Sequence, residues 1–161
     1  PVLHLPLPPV DRGTELPLSF AQQRLWFIHQ FHQGQDRVYN IPVVLRLEGE
    51  LNVEALRYAL NTMIERHENL RTRFVIQEGE AVQVITPQMH LELPVTEVRE
   101  DEVSTQVGRY LEHVFDLSQG PLFIAGLLRV SARHHILLLN MHHIISDRWS
   151  EGVMVREVVA L

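Results

Sequence analysis

The segment Met141–Ser150, MHHIISDRWS, holds two adjacent histidines and, four residues after the second, an aspartate. His143 closes an apolar run and precedes a turn, and strand ends are where a rigid scaffold presents side chains to a cleft. Imidazole is the side chain best suited to taking or giving a proton near neutral pH. Asp147 lies just past the turn, where it can hydrogen-bond the imidazole or brace the loop that carries it. The same residues fit a buried histidine followed by an aspartate that caps a turn, and the pattern alone leaves both readings open. No nucleophile accompanies them: there is no GxSxG and no cysteine, and Ser146 and Ser150 read as turn and cap residues. The chemistry that remains is direct proton transfer between two bound substrates, without a covalent enzyme intermediate, which suits acyl transfer.

Ten histidines also raise the question of a metal, since four fall in the pairs His134-His135 and His142-His143. His135 and His143 share a face on one strand but stand roughly 26 Å apart at about 3.3 Å per residue, too far to chelate one ion. Adjacent His142 and His143 point to opposite faces. With no cysteine and no HExxH pattern, no metal site is expected. There is no Walker loop and no dinucleotide fingerprint. The net charge of −6 is interspersed, so there is no basic stripe and no nucleic-acid partner is expected. No apolar run reaches the length of a membrane span and no signal peptide is visible, so the setting expected is cytoplasmic, with no membrane partner.

Two further stretches hold candidate residues. Ile64–Phe74, IERHENLRTRF, carries Arg66, Arg71 and Arg73, which also suit the ordinary charge of a helix end. Gln22 and Arg24 lie in AQQRLWF, where an arginine commonly packs its stem on an aromatic neighbour.

The elements that must position these residues follow from capping and periodicity. Ser19 caps a helix through Phe31, with Phe20, Leu25, Ile28 and Phe31 as its expected apolar face. Ile41–Leu47 is β-branched and reads as a strand. Asn52 caps a strong helix over residues 53–70, with Glu54 in its first turn and Val53, Leu56, Leu60 and Ile64 at helical spacing. Arg73–Ile76 and Ala81–Ile85 form a hairpin around Gln77–Glu80. Leu91–Val98 is extended, Glu100–Phe115 helical, and Asp116–Pro121 a turn. Leu122–Val130 and His135–Ile145 are buried neighbouring strands, and Ser150 caps a last helix. This order, with hairpins and no strict βαβ alternation, indicates an α+β sandwich. The 161 residues, 45% hydrophobic, suit one core or a large piece of something bigger. The missing initiator Met, the Pro-rich start and a last helix that looks unfinished favour a piece. Residues 1–15 read as a linker and 16–161 as the folded body.

Taken together, LSFAQQRLWF (18–27), RHENLRTRF (66–74) and MHHIISDRWS (141–150) resemble, in order and approximate spacing, the first three core motifs of condensation domains of nonribosomal peptide synthetases. The resemblance covers nearly the whole chain after the linker. It implies a chloramphenicol-acetyltransferase-like architecture of two lobes in a V, of which this chain is the N-terminal lobe only, the C-terminal lobe being absent. It implies amide-bond formation between an acyl or peptidyl thioester and an aminoacyl thioester. Both would arrive on the 4'-phosphopantetheine arms of donor and acceptor peptidyl carrier domains, with no cofactor bound by the chain itself. Adjacent synthetase domains and the second lobe are the other implied partners. By position, His143 matches the family's essential histidine, acting as a base or as a positioning group. His142 and Asp147 match residues regarded as structural, Asp147 through an ionic partner. Arg66, Arg71, Gln22 and Arg24 match supporting positions of the first two motifs. Epimerisation domains share the HHxxxDG core, so that activity is an alternative.

One departure is plain. The family pattern has glycine where this chain has Arg148. A positive φ there would cost an arginine on the order of 1 kcal/mol or more. Its side chain could also enter the substrate tunnel or pair with Asp147. The expectation is that Arg148 impairs condensation, and a silent module that only binds carrier proteins is therefore a further alternative.

Overall fold

The computed structural model describes residues 16–34 and 37–161. The linker expected over residues 1–15 lies outside the described residues. Along the chain run β1 (Leu16–Pro17), α1 (Phe20–Phe31), β2 (Asn40–Glu48), α2 (Val53–Arg66), β3 (Thr72–Gln77), β4 (Glu80–Ile85), β5 (Val95–Glu97), α3 (Val103–Leu111), β6 (Phe123–Ser131), β7 (His134–His142) and α4 (Arg148–Ala160). The strands form two sheets, a three-stranded one ordered β1-β4-β3 and a four-stranded one ordered β2-β7-β6-β5. All pairs are antiparallel except β5 with β6. The fold is the expected α+β arrangement.

β7 lies between β2 and β6 and is buried on both faces, which is why its middle, ILLLNM (136–141), is almost wholly apolar. Leu137, Leu139 and Met141 face the larger core with Leu60, Met63 and Ile64 of α2 and Met154 of α4. Ile136 and Leu138 face the other way, toward Val103, Val107 and Tyr110 of α3. Leu60 and Ile64 are fully buried, each contributing roughly 1.5–3 kcal/mol of apolar burial. The β3–β4 hairpin turns on Glu78 and Gly79, both at positive φ, which suits a primed two-residue turn and needs the glycine. Among the described residues no helix is long and apolar enough to cross a membrane.

Several boundaries differ from expectation. α2 ends at Arg66, and Glu68–Arg71 form a separate 3-10 turn. Only Val95–Glu97 of the expected extended segment joins a sheet. α3 spans Val103–Leu111 after a 3-10 turn at Glu100–Glu102, so residues 112–115 are not helical. The last strand stops at His142, leaving 143–145 as a turn. α4 begins at Arg148 with Asp147 as its cap, and Ser150 is instead the third helical residue. The face of α1 also differs. Leu25 and His29 are buried, whereas Phe20 and Phe31 are exposed. At 100° per residue, positions 20, 24, 27 and 31 share one side, and Leu25 lies well away from it.

Candidate active site

Where β7 ends, His142 still pairs with Asn40 of β2. The chain then leaves the sheet. His143 N–H donates to the Tyr39 carbonyl (2.8 Å) and Ile145 N–H to the His142 carbonyl (3.1 Å), closing a tight turn. The turn exposes the His143 side chain. His143 Nδ1 lies 2.6 Å from the Ser146 carbonyl oxygen. A carbonyl only accepts, so Nδ1 carries the hydrogen, and in the neutral ring Nε2 carries the lone pair.

Asp147 makes no hydrogen bond to this imidazole. Its Oδ1 accepts from Ser150 N–H (2.8 Å) and Ser150 Oγ–H (2.7 Å), the N-terminal cap of α4. Those bonds from Ser150 hold its carboxyl below the usual range. Among the described residues no cation forms an ion pair with Asp147 such as the resemblance implies. Arg148 is the first residue of α4, exposed, and not at positive φ. Both the backbone strain and the pairing with Asp147 considered for Arg148 are therefore corrected.

His142 is buried, 1% exposed, with its ring edge-on to those of His29 (5.9 Å) and Phe115 (6.3 Å). Its Nδ1 accepts the Ile144 N–H at 3.1 Å. Burial first, then the charges of His29 and His143, push its pKa down to about 4, so the ring is neutral at pH 7. Ile144 thus ties the buried histidine to the turn that bears the exposed one.

An open cleft of 770 Å³ lies in front of His143. The start of α1 lines it with Gln22 and Arg24, and the turn before α4 with His143, Ser146 and Asp147. Gln22 is the third residue of α1. Its Oε1 accepts Ser19 N–H (2.8 Å), while its Nε2 donates to Gln83 Oε1 (3.1 Å) and the Ile144 carbonyl (3.4 Å). One amide side chain so joins α1, β4 and the histidine turn. Arg66 and Arg71 are not on this cleft. Arg66 Nη1 stands 3.8 Å from Glu157 Oε2 of α4, and His67 Nε2 2.9 Å from Glu157 Oε1. Arg71 Nη1 donates to the Thr86 carbonyl (2.8 Å), bracing the loop after β4. The cleft residues that sequence reasoning missed are Tyr39, Asn69 and Ser150 as a lining group. Asn69 lies inside RHENLRTRF, where the arginine charges are the stronger sequence signal. Among the described residues no group of three or more His, Asp or Glu could hold a metal ion.

A family profile for the condensation domain matches residues 13–161. The chain is 45% identical over 161 residues to a linear gramicidin synthase of Brevibacillus parabrevis, covering 96% of this chain and 3% of that protein. It is 43% identical over 158 residues to surfactin synthase subunit 2 of Bacillus subtilis (strain 168), covering 98% and 4%. It spans only a few hundredths of the length of the curated relatives it matches. Among solved structures it resembles the X-domain in its complex with OxyB from teicoplanin biosynthesis, with a TM-score of 0.86 and 29% identity, over 94% of this chain and 33% of that one. It also resembles the starter condensation domain of rhizomide synthetase, with a TM-score of 0.81 and 25% identity, over 90% and 36%. The two sheets and their helices are those of one lobe of the chloramphenicol-acetyltransferase-like fold. Three motifs in register, a profile match over nearly the whole chain and two close structural likenesses agree: this chain belongs to the condensation-domain family of nonribosomal peptide synthetases and corresponds to its N-terminal part.

Proposed function

We propose that residues 16–161 form the N-terminal lobe of a domain that makes amide bonds between two carrier-bound thioesters, with His143 as the group that receives the attacking amine. Condensation domains as a family form amide bonds. The observation that carries the assignment is the fixed imidazole. With Nδ1 donating to the Ser146 carbonyl, Nε2 is left as an acceptor on the side chain that lines the cleft. An amine held there donates its N–H to Nε2 while its lone pair attacks the thioester carbonyl. The C–N bond forms, the C–S bond breaks, and the proton passes to the departing thiolate. The ring either takes that proton outright or holds the amine in line while charge develops, and both roles need the same tautomer.

The other motif residues act through this turn. His142 packs beneath it, Asp147 caps the helix that follows, and Gln22 ties it to α1. Arg24 places a cation at the rim of the cleft. Arg66 joins α2 to α4, and Arg71 braces the loop after β4. The substrates would come on the 4'-phosphopantetheine arms of donor and acceptor carrier domains, and a second lobe would close the other side of the cleft. Residues 1–15 would link this lobe to a preceding synthetase domain.

The full-length parent chain, given loaded donor and acceptor carriers, tests the reading. An amide product on the acceptor carrier is expected. Inversion of a tethered residue without amide formation would identify an epimerisation domain instead. Carrier binding with neither product would identify a silent module.

A further inference from the structure

Beside the cleft lies a second, smaller cavity of 140 Å³ between α2 and α4. Met63 and Leu70 reach it from α2 and the turn after it, Met141 and Ile145 from the end of β7, and Trp149 and Met154 from α4. Among the described residues His67 is the one ionisable side chain that reaches it, and its Nε2 is engaged by Glu157. Met63, Met141 and Met154 carry unbranched side chains, which repack around varied shapes. Asn69, Ile145, Ser146 and Ser150 line both this cavity and the cleft. Ser146 is also the residue whose carbonyl fixes His143. A group in the small cavity therefore lies one tight turn from the imidazole.

We infer that this cavity is a side-chain subsite, which takes the apolar side chain of one of the two aminoacyl substrates while that substrate's reacting group sits at His143. This rests on the amide-forming reading above. An apolar cavity of about 150 Å³ holds a benzene molecule. The present volume therefore suits an isobutyl, sec-butyl or benzyl group and is too small for an indole. A charged side chain would meet there only the neutral polar groups of Asn69, Ser146 and Ser150 and the His67–Glu157 pair, and would lose its hydration. A glycyl substrate would leave the cavity unfilled and gain nothing from it.

The test uses the full-length parent chain with carriers loaded in turn with glycine, leucine or tryptophan, first on the donor side and then on the acceptor side. Met154→Trp fills the cavity and Met63→Ala enlarges it. Met154→Trp is expected to lower leucyl transfer relative to glycyl transfer by about tenfold or more. Met63→Ala is expected to raise tryptophanyl transfer relative to leucyl transfer. Either effect should appear on one carrier only, and that carrier identifies which substrate uses the cavity. Ratios that stay within about twofold of the parent's on both carriers would overturn the subsite. Should Met154→Trp fail to fold, the Met63→Ala ratios decide the matter alone. If the parent forms no amide with any pair, it is the amide-forming reading that fails. If it does and the ratios do not move, only the subsite fails.

Discussion

Arg148 illustrates how a departure from a family pattern must be judged at the residue. The glycine of the HHxxxDG pattern invites the thought of a left-handed backbone, which an arginine would strain. The chain instead turns helical at this residue, and the guanidinium forms no ion pair among the described residues and is not part of the cleft lining. Arg148→Gly in the parent chain is therefore expected to leave transfer within about threefold of its starting rate. A gain of about tenfold or more in a loaded-carrier assay would instead show that the cation itself obstructs the reaction.

His142 makes a different residue-scale prediction. Its pKa is pushed down to about 4 by burial, below the ordinary 6.5, so the folded protein binds fewer protons here than the unfolded chain. The stability this gives is fully present above pH 6.5 and is lost as pH falls toward 4, a change of roughly 3 kcal/mol. His142→Asn keeps an acceptor for the Ile144 N–H without the titration. In urea unfolding followed from pH 7 to pH 4, the variant should lose less stability than the parent by about that amount. Parallel losses would mean that His142 does not titrate in this range.

Among the elements, α4 matters most to the site, because its cap and the histidine turn share residues 143–147. Asp147 serves that helix through Ser150 and does not reach His143. Asp147→Ala should cost about 1 kcal/mol in unfolding experiments, whereas Asp147→Asn, also a good cap, should cost only a few tenths. A large loss in both would point to an ionic role instead. Capping is also where the sequence was most legible. Ser19 and Asn52 cap α1 and α2 as expected, because a cap is a local interaction between a side chain and the next turn. At α4 the cap moved three residues, because Asp147 and Ser150 are both good capping types and bond to each other. The buried side of α1 was less legible. Aromatic residues occur on both sides of it, and only the packing of Leu25 and His29 decides which side faces inward. The parallel β5–β6 pairing and the positions of Arg66 beside Glu157 and Arg71 beside Thr86 depend on long-range geometry, which local spacing does not carry.

Across the whole molecule, Phe20, Phe27 and Phe31 form an exposed apolar side of α1, at 92%, 65% and 76% exposure. The chain spans about a third of the length of the X-domain and starter condensation domain structures it resembles. On the proposed reading a second lobe completes the cleft, and half of such a cleft cannot orient two substrates, while an apolar stripe of this kind favours association. The 161 residues alone are expected to show no transfer activity and to self-associate in sedimentation velocity, with Phe27→Glu shifting them toward monomer. A monomeric and active 161-residue chain would contradict this.

The central claim is that the His143 imidazole, fixed by the Ser146 carbonyl, receives the attacking amine. Single-turnover transfer between preloaded carriers, comparing the full-length parent chain with its His143→Ala variant, tests it most directly. The account predicts transfer slower by roughly 10²–10⁴-fold with carrier binding unchanged. Transfer within about threefold of the parent rate would contradict it.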